Sequence, residues 1–193
     1  SPNGNLYLSI IQRPTCIPSD ATQLGFVTGV ALAETLLSIT NISITLKWPN
    51  DILANGKKAS GILLESSIDT NKGLEWLIIG VGLNVKIFPR DIDNSTSLLQ
   101  EGAKVTVEHA LITFLHYFFN NVEKWLNNGF DPIRERWLSL SLNKGAAIKV
   151  RLPGNVIFGT FMGIDNRGSL LIETNGEITK VDVGDIFPIV IEN

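Results

Sequence analysis

The segment from Leu74 to Val85, LEWLIIGVGLNV, constrains the fold of this chain most strongly. Its uninterrupted apolar run, from Trp76 to Leu83, is typical of a strand that lies in the middle of a sheet and is covered on both faces. The run has eight residues, whereas a helix that crosses a bilayer needs roughly 20. We therefore predict a central strand inside a protein core and no membrane span.

Two segments with helical periodicity lie before and after this strand. The first runs from about residue 21 to residue 39, and Asp20 is its candidate N-cap. The second runs from the capping residue Thr106 to Asn128. Glycines at positions 25 and 29 would allow the first helix to pack closely on a sheet.

Shorter β segments complete the first part of the chain. Residues 5–12 alternate between apolar and polar side chains, as a half-buried strand does. Residues 42–48 are rich in β-branched side chains, and residues 57–66 follow a turn at Asn55-Gly56. Asn-Gly favours a two-residue hairpin because both turn positions require positive φ.

The sequence pattern changes after Asn143-Lys144-Gly145. Residues 146–193 contain short β segments separated by turns such as Pro153-Gly154 and Asn175-Gly176, and they show no helical period. Several short strands in so little sequence predict a small β-barrel. We therefore place a domain boundary near residue 144.

The composition excludes several classes of protein. A hydrophobic content of 44% with 18% charged residues excludes a disordered chain. The 16 basic and 19 acidic residues give a net charge of −3 without a basic stripe, which argues against a nucleic-acid surface. Cys16 is the sole cysteine, as is typical of a protein in the reducing cytoplasm. We expect a cytoplasmic protein that binds neither DNA nor a membrane.

Three motifs carry side chains suited to ligand binding. Residues 47–51 (KWPND) end one strand and place a lysine, an aromatic residue and two polar residues around a proline turn. Residues 56–63 (GKKASGIL) form the returning strand of the hairpin, and residues 80–84 (GVGLN) lie at the end of the central strand. Glycine in a strand permits a ligand to approach the backbone closely.

Together these motifs predict a groove between neighbouring strands. Lys47 and Lys58 would supply positive charge, Asp51 would be a candidate ligand for Mg²⁺, and Gly80 and Gly82 would leave the floor bare. Such a groove suits a flat ligand together with a polyanion.

Each motif also has a purely structural interpretation. Lysines beside a hairpin turn are usually solvated, and Trp48 is of a type found more often in a core than in a site. The glycines could simply permit close packing, because G-x-G-x-N alone is a weak motif.

Taken in order, the motifs resemble those of the biotin–protein ligases, the biotin–[acetyl-CoA-carboxylase] ligases. The combination of K-W-P-N-D with the following K-x-x-G-I-L is specific, and the resemblance covers essentially all 193 residues. The segments that carry it are 4–9 (GNLYLS), 47–51, 56–58, 61–65, 80–84, 96–98 (TSL), 159–165 (GTFMGID) and Gly168.

The resemblance implies a two-part fold. Residues 1–143 would form an α/β catalytic domain, with a mixed β-sheet and helices on one face. Residues 144–193 would form a small SH3-like β-barrel. The barrel would either help to engage ATP and the carrier protein or serve only as structural support.

The resemblance also implies an activity. Members of this family use ATP and Mg²⁺ to convert biotin into biotinyl-5′-AMP, and they then transfer biotin to one lysine of a biotin carboxyl carrier domain. Lys58 would hold the biotin carboxylate and the adjoining phosphate, and Lys47 would assist at the ATP phosphates as the second catalytic lysine. The implied biotin-binding residues are Lys58, Gly61, Leu63, Gly80 and Gly82. The implied ATP-binding residues are Lys47, Asn50, Asp51 and Asn84, with Asp51 also the candidate Mg²⁺ ligand.

The sequence departs from the family pattern at its start. In the family a Gly/Arg-rich loop that closes over the adenylate precedes the segment equivalent to residues 1–7, whereas this sequence begins at Ser1. We expect either a fragment of a longer protein or a natural truncation, and a chain without that loop would form the adenylate weakly. Two alternative functions remain open: a non-catalytic remnant that binds biotin or the carrier, and a lipoate–protein ligase. Homodimerisation through an exposed sheet edge is also compatible with the predicted fold.

Overall fold

We analysed a computed structural model of the chain, which describes residues 3–13, 17–69, 73–92 and 94–189. Cys16 lies outside these residues. In chain order the elements are β1 (Leu6–Gln12), α1 (Pro18–Ala21), α2 (Gln23–Ile39), β2 (Ile44–Lys47), β3 (Asp51–Ala54), β4 (Lys57–Asp69), β5 (Gly73–Leu83), α3 (Val107–Asn128), α4 (Asp131–Leu140), β6 (Ala147–Leu152), β7 (Asn155–Ile164), β8 (Leu170–Thr174), β9 (Glu177–Val181) and β10 (Asp185–Pro188).

The first five strands form one sheet in the order β1-β5-β4-β3-β2. The predicted central strand is β5, which lies between β1 and β4. The expectation that it is covered on both faces is wrong: Leu77, Ile79, Val81 and Leu83 are buried, but the residues that alternate with them are partly exposed. The hairpin between β3 and β4 turns at Asn55 and Gly56, whose φ values are 49° and 77°. This result confirms the prediction from the Asn-Gly pair.

The α/β organisation is confirmed, but the prediction of a mixed sheet is wrong. Every strand pairing described in this sheet is antiparallel. Parallel pairing occurs only at two isolated bridges, Leu46–Ser141 and Lys58–Ser95, among the residues described. Strands β2 to β5 follow one another with short connections, and such connections reverse the chain direction at each step.

The helices cover one face of the sheet. A Cβ added at Gly25 of α2 would lie 3.3 Å from Leu64 Cδ1, and one added at Gly29 would lie 3.7 Å from Ile62 Cδ1. Gly25 therefore permits the close helix–sheet packing that the sequence predicts, whereas a Cβ at Gly29 would make only an ordinary van der Waals contact. On the opposite face of β1, β5 and β4, where Tyr7 and Leu63 are exposed, no helix packs among the residues that the structure describes, and this is where the site lies.

The α2 helix is buried on nearly all sides. With α1 it forms a stretch, Pro18–Ile39, that is long and apolar enough to span a membrane by composition, but 67% of its most apolar window is buried inside the protein. Its apolar character is accounted for by packing between the sheet and α3. The prediction that Asp20 caps this helix is wrong: Asp20 lies within α1, because Pro18 starts a helical turn earlier in the chain.

The last five strands form a second antiparallel sheet in the order β10-β6-β7-β8-β9. This is the small SH3-like barrel that the sequence predicts. Hydrogen bonds join it to the first part of the chain: Trp48 Nε1 donates to the Gly168 carbonyl at 2.9 Å, and Arg134 Nε donates to the Ile164 carbonyl at 2.8 Å. The KWPND segment is therefore fixed against the barrel.

Asp165 stabilises the barrel turn that receives these bonds. Burial raises the pKa of its carboxyl, but hydrogen bonds from Lys180 and from the backbone N–H groups of Arg167 and Ser169 outweigh this effect and hold the pKa below its ordinary value of 3.8. The carboxylate form is thus the one that orders the turn beside Gly168.

The Trp48 bond predicts a measurable loss of stability in Trp48→Phe. This change leaves the buried Gly168 carbonyl without its indole donor, which should cost about 1–3 kcal/mol beyond the loss of ring volume. The free energy of unfolding, measured with urea, tests this. Trp137→Phe is the control for ring volume, because no hydrogen bond from the Trp137 indole occurs among the described residues. Equal losses in the two variants would contradict the prediction.

Candidate active site

Two lysines meet at one buried carboxylate. Asp51 is 4% exposed; its Oδ2 lies 2.8 Å from Lys47 Nζ and its Oδ1 lies 2.5 Å from Lys58 Nζ. The Lys47 side chain is 12% exposed and the Lys58 side chain 38% exposed. The structure thus brings together the three charged residues that the sequence singles out, and we call Lys47, Asp51 and Lys58 the charged cluster.

Strand pairing places each member of the charged cluster. Lys47 of β2 lies directly opposite Asp51 of β3, so the two side chains share one face of the sheet. Asp51 in turn lies opposite Gly61 of β4. Lys58 precedes Gly61 by three residues, and regular alternation along a strand would send it to the other face.

A β-bulge redirects Lys58. The register between β3 and β4 shifts between Ile52 and Leu53, so that Ser60 pairs with Ile52 but Lys58 pairs with Leu53. The unpaired residue restores Lys58 to the face of Gly61, where a Cβ added at Gly61 would lie 3.7 Å from Lys58 Nζ. Bulges commonly re-aim side chains next to functional sites in this way.

The glycines form the floor of an open groove of about 470 Å³ beside the charged cluster. Gly82 pairs with Gly61, and Gly80 pairs with Leu63, so these four positions lie on the same face of β5 and β4. A Cβ added at Gly82 would find its nearest neighbour 4.0 Å away. The groove is lined by Tyr7, Leu8, Ser9, Asn50, Asp51, Lys58, Gly61, Ile62, Leu63, Gly80, Val81 and Gly82.

The charged cluster also borders two further cavities. One, of about 480 Å³, lies between the sheet and the barrel and is lined by all three charged residues together with residues 185–188. We call it the interdomain cavity. The other, of about 120 Å³, is lined by Lys58, Gly82 and Asn84 among others. Lys58 and Asp51 line both the interdomain cavity and the glycine-floored groove, which we call the glycine groove. Lys47 lines the interdomain cavity but not the glycine groove.

Asn50 and Asn84, which the resemblance assigns to ATP binding, both donate side-chain hydrogen bonds to backbone carbonyls. Asn50 Nδ2 donates to the Ile62 carbonyl at 2.7 Å, which ties the proline turn to β4. Asn84 Nδ2 donates to the Thr96 carbonyl at 3.0 Å. Both lie beside the groove or its smaller neighbour, and their assignment to ATP stays a prediction.

The surroundings of Asp51 are not a prepared metal site. Each of its carboxylate oxygens forms an ion pair with a lysine ammonium group. No group of three or more His, Cys, Asp or Glu side chains that could hold a metal ion occurs among the described residues. The assignment of Mg²⁺ to Asp51 therefore stays a prediction.

The motifs in the sequence did not identify the residues of β1 that line the glycine groove. Tyr7 and Ser9 lie opposite Gly82 and Gly80 across β1 and β5. Asn5 holds the chain after β5, because its Oδ1 accepts from the backbone N–H of Val85 at 3.0 Å. The alternation in residues 5–12 could have placed Tyr7 and Ser9 on one face, but it could not have indicated that this face borders β5.

Comparison with known proteins identifies the family. The family model described as the biotin/lipoate A/B protein ligase family matches residues 2–139, and the model described as the biotin protein ligase C-terminal domain matches residues 145–187. The chain belongs to the biotin/lipoate A/B protein ligase family. The resemblance drawn from the KWPND and GKKASGIL motifs is thereby confirmed.

Individual relatives within the family agree with this assignment. The bifunctional ligase/repressor BirA of Bacillus subtilis is 35% identical over 193 residues, and the alignment covers 96% of this chain but 59% of the relative. The chain therefore spans about three fifths of the length of that relative. The biotin–[acetyl-CoA-carboxylase] ligase of Paracoccus denitrificans is 30% identical, with 96% of this chain and 81% of the relative covered.

A solved structure of the family has the same fold. The biotin protein ligase of Aquifex aeolicus, in complex with biotin and ATP, matches with a TM-score of 0.81 and 29% identity. The match covers 96% of this chain and 78% of that chain. The similarity therefore extends over both sheets of this chain.

Glu101 fixes the hairpin that carries Lys58 in this family member. Its carboxylate accepts from Thr96 Oγ1 at 2.6 Å, from Asn55 Nδ2 at 2.9 Å and from Lys57 Nζ at 3.2 Å. The hydrogen bond from Thr96 is the main cause that holds the pKa of Glu101 below its ordinary value of 4.5.

The lowered pKa predicts how stability depends on pH. A carboxyl whose pKa is lower in the folded chain stabilises the fold above its unfolded pKa and loses this effect as the pH falls through the folded pKa. Glu101→Gln should therefore be less stable than the parent at neutral pH, and the gap should shrink below about pH 4.5. Urea unfolding of both proteins over a pH series measures this difference in the free energy of unfolding.

The hydrogen bond from Thr96 provides the control. Thr96→Val should cost stability in the parent chain and cost less in the Glu101→Gln background, since the charged acceptor is then already gone. A gap between parent and Glu101→Gln that stays constant down to about pH 3 would contradict the assignment.

Proposed function

We propose that this chain is an ATP-dependent biotin–protein ligase. It would activate biotin as biotinyl-5′-AMP and transfer the biotin to a specific lysine of a biotin carboxyl carrier domain in the cytoplasm. One observation carries this proposal: two lysine ammonium groups converge on Asp51 at the end of a glycine-floored groove. The match of the barrel to the biotin protein ligase C-terminal domain supports biotin as the substrate.

The groove suits the bicyclic ring and the acyl chain of biotin. The floor offers backbone and no side chains at Gly61, Gly80 and Gly82, and Leu63, which is 59% exposed, supplies an apolar wall. Pockets of this kind bind through apolar contact and use a few polar groups to fix orientation. Lys58, at the end of the groove, would hold the biotin carboxylate.

The first step requires two anions to meet. A carboxylate oxygen of biotin attacks the α-phosphorus of ATP, the new bond is an acyl phosphate anhydride, and the bond from the α-phosphorus to the bridging oxygen breaks to release pyrophosphate. Lys58 borders both the glycine groove and the interdomain cavity, so its ammonium group can offset the repulsion where the reacting atoms approach. Lys47 would bind the departing phosphates from the interdomain side.

The second step transfers the biotinyl group. The ε-amine of the carrier lysine attacks the carbonyl carbon of the anhydride, an amide forms, and AMP leaves. The groove is open to solvent on the side away from the helices, so the carrier lysine can enter from that side. Mg²⁺ neutralises phosphate charge when it is bound with ATP, and Asp51 stays its proposed protein ligand.

Two alternatives differ in what they predict for binding and turnover. A non-catalytic remnant would bind biotin without releasing pyrophosphate, and a lipoate–protein ligase would prefer lipoate. Calorimetry with biotin in the presence and absence of ATP, combined with a pyrophosphate-release assay, distinguishes the non-catalytic remnant from an active ligase. Competition between biotin and lipoate for carrier modification distinguishes a biotin ligase from a lipoate ligase. We expect biotin to be transferred preferentially, and preferential transfer of lipoate would overturn the proposal.

Lys58→Ala provides a direct test of the site. Removal of the ammonium group deletes a charge-assisted contact to the substrate worth roughly 1.5–3 kcal/mol, so biotin binding and adenylate formation should each fall by about ten-fold or more. Calorimetry and single-turnover adenylation measure these effects.

The adjacent lysine is the matched control. Lys57 is half exposed and pairs with Glu101 rather than with the charged cluster. Asn55 and Thr96 still hold Glu101, and so the hairpin, when Lys57 is removed. Lys57→Ala should therefore leave adenylation within about two-fold of the parent, because an ion pair to a half-exposed lysine usually contributes little. Near-normal adenylation by Lys58→Ala would refute the assignment of Lys58.

A further inference from the structure

We infer that Phe187 of the barrel is a positioning residue for Lys47, and that through this contact the barrel acts on the ATP half of the reaction. The inference rests on the proposed ligase function and deepens it. It assigns the barrel a part in the first step by way of one side chain.

The contact is a cation–π interaction across the two parts of the chain. Lys47 Nζ lies 5.1 Å from the centroid of the Phe187 ring. Phe187 belongs to β10, and β10 also supplies the wall of the interdomain cavity that Lys47, Asp51 and Lys58 line on the other side. The ring therefore faces the same space as the charged cluster.

The charge of the cluster explains why such a contact is needed. Two ammonium groups share one carboxylate, so their mutual repulsion is only partly offset by Asp51. The face of an aromatic ring carries partial negative charge and attracts a cation within about 6 Å of its centroid. Phe187 thus compensates Lys47 without supplying a second anion that would repel phosphate.

The strands of the barrel hold the ring in place. Phe187 pairs with Lys149 of β6, and the guanidinium carbon of Arg151, two residues further along β6, lies 4.8 Å from the ring centroid. The ring is therefore fixed from the barrel side by one cation and contacts Lys47 on the other part of the chain. A shift of the barrel would move Phe187 away from Lys47 and leave the ammonium group with its ion pair to Asp51 but without the ring.

This arrangement predicts that loss of the Phe187 ring weakens the binding of ATP and not the binding of biotin. Lys47 borders the interdomain cavity and not the glycine groove, so loss of its contact with the ring should weaken binding of the triphosphate and leave biotin binding unchanged. Transfer from preformed biotinyl-5′-AMP should also be unchanged, because pyrophosphate has already left before that step.

The experiment compares Phe187→Leu with Phe187→Tyr. The leucine variant keeps an apolar side chain but loses the ring, and the tyrosine variant keeps the ring. In biotin-dependent ATP–pyrophosphate exchange, Phe187→Leu should raise the KM for ATP by roughly 3- to 30-fold and leave the KM for biotin within about two-fold, whereas Phe187→Tyr should match the parent.

Phe158→Leu is the matched control. Phe158 is an exposed phenylalanine on β7 of the same barrel. It pairs with Lys149 of β6, and Lys149 pairs on its other side with Phe187 of β10. Its replacement should leave both KM values unchanged. An unchanged KM for ATP in Phe187→Leu, equal increases in Phe187→Leu and Phe187→Tyr, or an equal increase in the control would overturn the inference.

An activity-independent readout separates failure of this inference from failure of the proposed function. If the parent chain shows no exchange, the ligase proposal fails. The ring current of Phe187 should still shift the NMR signals of the Lys47 side chain, and this shift should disappear in Phe187→Leu and persist in Phe187→Tyr. Its absence in the parent would overturn the positioning role whatever the activity.

Discussion

The pairing of two lysines with one buried carboxylate is the interaction on which the site depends. Asp51 is almost wholly buried, and an unpaired carboxylate there would be costly. Lys47 and Lys58 satisfy it from two different strands. The same pairing holds both ammonium groups at the interdomain cavity and Lys58 also at the glycine groove, so the contact that allows Asp51 to be buried also concentrates positive charge where anions would bind.

Both parts of the chain contribute to this arrangement. The proline turn after β2 is fixed on the barrel by the hydrogen bond from Trp48 to Gly168, and Lys47 contacts the barrel through Phe187. The hairpin that carries Lys58 is fixed by Glu101. The charged cluster is therefore supported from three sides.

Much of the local structure could be predicted from the sequence, because short-range chemistry decides it. The Asn55-Gly56 turn, the buried run of β5 and the capped α3 helix each follow from residues within a few positions of one another. The antiparallel direction of the sheet and the start of α1 at Pro18 were missed. The direction of β1 depends on its pairing with β5, some 70 residues away, which no local pattern specifies.

The sequence by itself determined the residue types of the site, since lysines, an aspartate and alternating glycines at these spacings are enough to indicate a groove for an anionic ligand. Only the tertiary structure decided which of them meet. A bulge turns Lys58 to the face of Gly61, strand pairing sets Gly82 beside Gly61, and the packing of the barrel brings Phe187 to Lys47. These juxtapositions depend on register and domain packing, which arise from contacts between residues far apart in the chain.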